Sequence, residues 1–340
     1  MEARSDPMDL WLWPFRVGLD LLGGGPAHVR IDWATPNEVV ADLTTMRLRA
    51  FVSQGDAPVI VVAPYAVHDA GLADLAPGHS VIERLVAEGF GPILLTEWKS
   101  ATSATRGLST DAYLADLNAA VDLAPPAPIL VGLCQGGWLS LAYAAAFPGK
   151  VGKLVAAGAP VDTSCPSEIA SSARNVSSEM VEELIAAGGG LVSGRATLGA
   201  FRALGSAELA AAEVLQVADA GAPELIARYQ AWDARTVDLP GRYYADVLNW
   251  IFRDNRLAAG DFPVFGRPTP LSRVTAPIFA LAGGRDAVAP PAQVFAALDL
   301  VGTPAACKAQ KLADCGHLSL FMGARTLAHE WVEIAAWMRS

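Results

Sequence analysis

One short segment restricts the fold of this chain more than any other. The apolar run Pro128 to Val131 leads directly into Gly132-Leu133-Cys134-Gln135-Gly136, and a helix-forming stretch from Gly137 to Phe147 follows. A sharp strand-to-helix turn strains the backbone of its central residue and leaves no space for side chains two positions away, so glycines are required on both flanks. The segment therefore predicts a strand, a tight turn with Cys134 at its tip, and a helix.

The same succession of a strand followed by a helix recurs along the chain. Continuous apolar runs of this kind are typical of strands that are buried on both faces. The predicted strands are Val59 to Ala63, Ile93 to Thr96, Pro128 to Gly132, Lys153 to Ala157 and Pro277 to Leu281, together with the more polar segment Lys308 to Leu312. Helical patterns separate most of them, including one capped by Ser80 and a final one from about Arg325 to Met338. We expect an α/β protein with a mostly parallel, doubly wound sheet.

The strand signal fades in the third quarter of the chain. Ala-rich helical segments such as 178–187 and 206–218 replace it, which predicts a helical cap inserted into the sheet domain. Together with the turn at Cys134, this pattern indicates an α/β-hydrolase fold. We predict an N-terminal extension over 1–45, the first part of the core over 46–163, the cap over 164–272, and the second part of the core over 273–340.

Composition narrows the function classes. Hydrophobic residues make up 52% of the chain, which is enough for a large core, and the net charge is −10 without any basic run, which argues against nucleic acid as a partner. No stretch reaches the roughly 18 uncharged apolar residues of a membrane span, and acidic groups interrupt the first residues, so no secretory signal is expected. We therefore expect a cytoplasmic protein with four free cysteines, no metal site and no cofactor. Trp11, Trp13 and Phe15 are expected to pack on the core, with contact to a hydrophobic surface as the alternative.

Cys134 is the candidate nucleophile. At the start of a helix, free N–H groups and the helix dipole favour the thiolate. The N–H of Gln135 would face the oxyanion that forms when Cys134 attacks a carbonyl. A second donor should come from the loop after the Val59 run, where the candidates are the N–H groups of Tyr65 and Ala66.

The remaining triad members should follow the nucleophile along the chain. The chain has five histidines, of which two lie after the predicted cap. His317 is in a loop after the last strand, where its imidazole can reach the edge of the sheet, so it is the candidate base. His329 lies within the last predicted helix and is expected to be exposed. His68 is a candidate pocket residue, and a structural hydrogen bond is an equally good interpretation.

Three carboxylates compete for the role of the acid. Asp286 comes just after the strand that ends near Leu281, where it can hold the imidazole in one tautomer and stabilise the imidazolium. Asp162 follows an earlier strand, and Asp314 shares the loop of the histidine. Strand-end geometry favours Asp286, with Asp162 and then Asp314 as alternatives.

These residues carry a family resemblance. Gly132-Leu133-Cys134-Gln135-Gly136-Gly137 is similar to the nucleophile motif of polyhydroxyalkanoate synthases. Other stretches resemble intracellular polyhydroxyalkanoate depolymerases, namely Ala63 to His68, Thr96 to Trp98, Gly158 to Thr163, Asn255 to Phe262 and Gly316 to Gly323. The resemblance covers about Val59 to Trp337 and implies a cysteine-dependent α/β-hydrolase of this depolymerase and synthase group.

The resemblance implies a substrate class but leaves the direction of the reaction open. The leading expectation is hydrolysis of a 3-hydroxyacyl ester polymer or oligomer through an acyl-Cys134 thioester. The alternative is acyl transfer, in which 3-hydroxyacyl-coenzyme A loads Cys134 and a chain-end hydroxyl accepts the acyl group. A third hypothesis is a non-catalytic protein at the surface of polymer granules, since a fold alone does not establish activity.

Overall fold

The computed structural model describes residues 32–203, 211–218 and 222–340; Trp11, Trp13 and Phe15 lie outside them. Within the described residues, the central sheet has eight strands in the order β1-β2-β4-β3-β5-β6-β7-β8. The strands are β1 (Asn37–Asp42), β2 (Met46–Phe51), β3 (Val59–Val62), β4 (Ile93–Trp98), β5 (Ile129–Leu133), β6 (Lys153–Ala157), β7 (Ile278–Gly283) and β8 (Lys308–Ala313).

The pairing of the strands divides the sheet into two parts. Strands β3 to β8 are parallel to one another, whereas β1 and β2 form an antiparallel pair at one edge, with β2 antiparallel to β4. Every residue of β3, β4, β5 and β7 is buried, which is the reason that these segments read as continuous apolar runs. The expected mostly parallel α/β sheet is confirmed.

Helices connect the strands. They are α1 (Val81–Ala87), α2 (Thr110–Leu123), α3 (Gln135–Ala146), α4 (Glu168–Asn175), α5 (Ser178–Ala187), α6 (Gly194–Ala203), α7 (Ala211–Leu215), α8 (Pro223–Asp233), α9 (Gly241–Val247), α10 (Arg256–Ala259), α11 (Pro291–Leu300), α12 (Ser319–Met322), α13 (Ala324–Ala328) and α14 (Glu330–Arg339). A π-helical turn at Leu248–Arg253 continues α9. Ser80 caps α1 as expected, because its hydroxyl accepts a hydrogen bond from the Glu83 N–H at 2.8 Å.

Three elements differ from the sequence prediction, and one of them is β2, which lies in the predicted core but was not predicted as a strand. Strand β1 lies in the segment assigned to an N-terminal extension, yet it is hydrogen-bonded to β2 and belongs to the sheet. It is a largely exposed edge strand that contains Glu38 and Asp42, so it lacks the apolar run that marks the buried strands. The prediction of a single final helix is also wrong, because the helix is interrupted at His329 and forms α13 and α14. His329 is exposed, as expected.

The segment 164–272, which we call the cap, is mainly helical. It contains α4 to α10 and two-residue strand pairs, one of which joins Leu191–Val192 to Leu239–Pro240. Of the predicted helix over 206–218, the described part is α7. The domain boundaries themselves stay a prediction.

The parallel strands determine where a site can form. Their carboxyl ends share one edge of the sheet, and the loops after β3, β5, β7 and β8 meet there. The cap leaves the core after β6 and the chain returns to the sheet at β7. No helix among the described residues has both the length and the apolar character needed to cross a membrane.

Candidate active site

Cys134 occupies the tip of a sharp turn between β5 and α3. Its backbone has φ 51° and ψ −119°, in the region that L-residues avoid. The Cys134 N–H donates to the Ala157 carbonyl at 2.8 Å, which ties the turn to the end of β6. Strain of this kind persists only where the surrounding structure enforces it, and it is characteristic of functional sites.

The flanking glycines are required by close contacts. A Cβ added to Gly136 would lie 1.9 Å from the Val62 carbonyl oxygen, and one added to Gly132 would lie 2.5 Å from Gly137 Cα. Real Cβ atoms do not approach backbone atoms so closely. Because Gly136 packs on the end of β3, the Gln135 N–H at the start of α3 is adjacent to the loop that follows β3.

His317 and Asp286 form a buried pair beside Cys134. His317 Nδ1 lies 2.7 Å from Asp286 Oδ2, and the Asp286 side chain is fully buried. The other carboxylate oxygen, Oδ1, accepts hydrogen bonds from the N–H groups of Val288 and Ala289, both at 2.9 Å. The carboxylate is therefore fixed by the backbone on one side and directed at the imidazole on the other.

The electrostatics of His317 follow from this arrangement. Burial alone lowers the pKa of His317. The charges of Asp286 and Cys134, together with hydrogen bonds to both side chains, outweigh burial and raise the pKa well above its usual value. The imidazole is thus placed between a carboxylate and a thiol, which is the geometry needed to move a proton to and from sulfur.

The two other candidate acids lie elsewhere. Asp162 Oδ1 accepts hydrogen bonds from Ser164 and, at 2.7 Å, from Asn255 Nδ2. The Asp314 side chain is 84% exposed and pairs with Arg285. The structure therefore brings Asp286, and neither alternative, to His317.

The loop after β3 contains the two candidate donors of the second oxyanion hydrogen bond. Trp98 Nε1 donates to the Ala63 carbonyl at 2.7 Å, and Thr96 Oγ1 accepts from the Ala63 N–H at 3.0 Å. Among the described residues, the N–H groups of Tyr65 and Ala66 have no hydrogen-bond acceptor. Free N–H groups in an ordered loop at the edge of the sheet are suited to stabilise a negative charge.

His68 contacts both the cavity and the cap. Its Nε2 lies 3.1 Å from the Asp233 carbonyl oxygen and 3.1 Å from Asp233 Oδ1. The ring also packs on Trp232, with ring centroids 4.5 Å apart. His68 is therefore a lining residue of the cavity and, at the same time, a structural link from the loop after β3 to the cap.

A cavity of about 720 Å³ lies between the sheet edge and the cap, and Cys134 and His317 line its base. This volume falls in the usual range for small-molecule sites. The cap contributes mainly apolar and aromatic walls, from Ile169, Leu198, Val214, Trp232, Leu239, Tyr243, Tyr244, Val247, Leu248 and Phe252. Within the described part of the chain, Arg285 is the only Lys or Arg in the lining, and it pairs with Glu213 and Asp314. Such a cavity suits an acyl chain better than a charged group.

All four cysteines are free thiols, as expected. Burial raises the pKa of the Cys315 thiol to about 11, which makes it a poor nucleophile. The described residues contain no cluster of His, Cys, Asp and Glu that could hold a metal ion.

Sequence reasoning missed the cap residues of the site. Tyr243 lies in the lining, and its hydroxyl donates to the Tyr65 carbonyl at 3.3 Å. Trp232 and Asp233 hold His68. The adjacent aromatic pair Tyr243-Tyr244 was visible in the sequence, but no motif connected it to the core, since the contact joins positions far apart in the chain.

The comparison with known proteins decides the family. The profile described as alpha/beta hydrolase fold matches residues 17–324. The chain belongs to the alpha/beta hydrolase fold family. This alpha/beta hydrolase is also similar to proteins that are named poly(3-hydroxyalkanoate) polymerase subunit PhaC.

Three of these relatives illustrate the match. The protein from Synechocystis sp. is 28% identical over 320 residues, which cover 89% of this chain and 84% of the relative. The protein from Haloferax mediterranei is 26% identical over 333 residues, but this chain spans only 63% of its length. The protein from Allochromatium vinosum is 24% identical, with coverage of 83% and 81%. The resemblance to the polyhydroxyalkanoate group is confirmed.

Solved structures agree on the fold. The monoacylglycerol lipase of Paleococcus ferrophilus matches with a TM-score of 0.56 and 16% identity, over 87% of this chain and 98% of the lipase. The enol-lactonase of Burkholderia xenovorans matches with a TM-score of 0.55 and 16% identity, over 90% and 100%. At this identity the likeness extends to the alpha/beta hydrolase architecture alone.

Proposed function

We propose that this alpha/beta hydrolase is an acyltransferase of the polyhydroxyalkanoate synthase type, which uses 3-hydroxyacyl-coenzyme A and carries the growing acyl chain on Cys134. The observation that carries the proposal is the buried Asp286–His317 pair beside Cys134 at the base of an apolar cavity. The relatives are named polymerase subunits, which supports transfer over the hydrolysis that the sequence analysis favoured.

In the first half-reaction, His317 accepts the thiol proton of Cys134, and the sulfur attacks the thioester carbonyl carbon of 3-hydroxyacyl-coenzyme A. The N–H groups of Gln135 and of Tyr65 or Ala66 stabilise the resulting oxyanion. The bond between that carbon and the sulfur of coenzyme A then breaks, and His317 returns the proton to the departing thiolate. The product is an acyl-Cys134 thioester.

In the second half-reaction, His317 accepts a proton from the 3-hydroxyl of another acyl unit. The hydroxyl oxygen attacks the Cys134 thioester, an ester bond forms, and the Cys134 sulfur leaves and recovers the proton. Asp286 stabilises the imidazolium in both halves. The apolar walls that the cap contributes favour this route, because they can hold an acyl acceptor beside the Cys134 thioester.

The test incubates the purified chain with 3-hydroxybutyryl-coenzyme A and measures free coenzyme A and polymer by chromatography. Coenzyme A release together with polymer growth supports the proposal, provided that Cys134→Ala abolishes both. A parallel incubation with amorphous 3-hydroxybutyrate polymer measures monomer release. Monomer release without polymer growth would restore hydrolysis as the function, and binding to polymer particles with no turnover of either substrate would favour a non-catalytic granule protein.

A further inference from the structure

Three buried tyrosines form a cluster at the loop that follows β3. Tyr65 belongs to the loop, Tyr113 to α2, and Tyr243 to α9 of the cap. The ring centroids of Tyr65 and Tyr113 are 4.8 Å apart, those of Tyr65 and Tyr243 are 5.1 Å apart, and those of Tyr113 and Tyr243 are 4.5 Å apart. The cluster joins the core to the cap immediately beside the proposed oxyanion hole.

The hydroxyl groups of Tyr65 and Tyr243 contact different atoms, whereas the Tyr113 hydroxyl interacts with the side chain of Tyr65. The Tyr65 hydroxyl is within 3.0 Å of the carbonyl oxygens of both Lys99 and Asp238, which fixes the side chain of the loop residue. The Tyr243 hydroxyl donates instead to the backbone carbonyl of Tyr65 at 3.3 Å. Tyr243 is only 1% exposed, so this hydrogen bond does not compete with bulk water.

The Tyr65–Ala66 peptide is planar, so the hydrogen bond to its carbonyl group also determines the direction of its N–H group. The Tyr65 carbonyl and the Ala66 N–H belong to one trans peptide unit, so they point in opposite directions. A donor that holds the carbonyl on the cap side therefore directs the Ala66 N–H the other way. Among the described residues that N–H has no acceptor, and Ala66 lines the cavity, so the N–H is available to a bound ligand.

We infer that Tyr243 is a positioning residue of the oxyanion hole, whose hydroxyl holds the Tyr65–Ala66 peptide so that the Ala66 N–H, together with that of Gln135, faces the carbonyl oxygen of the acyl group on Cys134. This inference rests on the proposed function. It also distinguishes between the two candidate donors, since it assigns the second hydrogen bond to Ala66 rather than to Tyr65. A residue of the cap thus takes part in the chemistry through the backbone of the core.

The test removes one hydroxyl and keeps the ring. In Tyr243→Phe, the freed peptide can rotate, and we expect kcat for coenzyme A release to fall about 10-fold to 100-fold, because deleting an oxyanion donor outright costs about 100-fold to 1,000-fold. KM for 3-hydroxybutyryl-coenzyme A should change by less than about twofold, since the substrate still fills the same cavity. The matched control is Tyr113→Phe, which removes a buried hydroxyl that interacts with the Tyr65 side chain but leaves the Tyr65 carbonyl bonded to Tyr243.

A second measurement separates positioning from general damage. Alkylation of Cys134 by iodoacetamide is a substitution at a saturated carbon that forms no oxyanion, and the Cys134 peptide reports it by mass spectrometry. The rate should match the wild type in Tyr243→Phe, whereas acylation by the thioester slows. Turnover is normalised to the protein with an alkylatable Cys134, so that any misfolded fraction is discounted.

The outcomes are distinct. Equal losses of kcat in Tyr243→Phe and Tyr113→Phe, or unchanged kcat in Tyr243→Phe, overturn the positioning role. A parallel loss of alkylation and acylation also overturns it, because it would place the defect in the thiol itself. If Cys134→Ala retains full turnover, the proposed function fails instead, whatever Tyr243→Phe does.

Discussion

Asp286 divides its two carboxylate oxygens between two tasks. Oδ1 is held by the backbone N–H groups of Val288 and Ala289, and Oδ2 contacts His317. In Asp286→Asn, the amide cannot stabilise an imidazolium and favours the wrong tautomer of His317, so we expect kcat to fall by about 100-fold to 10,000-fold with little change in KM. Initial rates of coenzyme A release measure the effect.

The control for this prediction is Asp314→Asn. Asp314 was a candidate acid by sequence, but its side chain is 84% exposed and pairs with Arg285. We expect kcat within about twofold of the wild type, as for most surface changes. Similar losses in both variants would contradict the assignment of Asp286.

Among the residues of the candidate site, those in the core were predictable from the sequence, whereas those that depend on contacts with the cap were not. Cys134 and Asp286 each follow a strand that the apolar pattern identifies, His317 follows the more polar strand β8, and the order of the strands brings their loops together. Tyr243 and Asp233 depend on how the cap packs on the loop after β3. Packing between distant segments leaves no periodic signal, so the sequence contained the residues without indicating their partners.

The turn between β5 and α3 is the element on which the site depends. In Gly136→Ala, the new Cβ would lie 1.9 Å from the Val62 carbonyl oxygen. Either α3 or the end of β3 must move, and we expect the free energy of unfolding to fall by about 1–3 kcal/mol and the acylation rate to fall more steeply than stability, since the Gln135 N–H moves with the helix. Urea unfolding and pre-steady-state acylation measure the two effects.

Gly149→Ala provides the matched control. Gly149 lies just beyond the end of α3, and an added Cβ there meets no atom within 4 Å. Stability should change by less than about 0.5 kcal/mol, and acylation should be unaffected. Loss of acylation in both variants would show that the steric argument is wrong.

The elements that were predicted well share a physical cause. Buried parallel strands must be apolar on both faces, so β3, β5, β6 and β7 appear as runs within one or two residues of their true ends. Strand β1 was missed because an edge strand exposed to solvent needs no such run. The division of the last helix at His329 was missed because the apolar positions continue across it.

The net charge of the whole molecule affects its encounter with the proposed substrate. The chain carries −10, and coenzyme A carries several phosphate charges of the same sign. Added salt screens this repulsion. We expect KM for 3-hydroxybutyryl-coenzyme A to fall about twofold between about 20 mM and about 200 mM salt. The neutral N-acetylcysteamine thioester, which lacks the phosphates, should show no such change, and an equal response of both substrates would contradict the argument.

Strands β6 and β7 are neighbours in the sheet, with Leu154 paired to Ile278 and Ala157 to Leu281, although the entire cap separates them in the chain. An insertion that departs and returns at adjacent points can change in length at little cost, since the entropy of closing a loop rises by only about 0.6 kcal/mol when its length doubles. The register of the sheet does not depend on the length of the cap. The spacing of Cys134, Asp286 and His317 is therefore unchanged when that length changes. The cap, which lines much of the cavity, can therefore change during evolution while the positions of Cys134, Asp286 and His317 stay the same. Related proteins with the same sheet can then differ in the groups that their cavities accept.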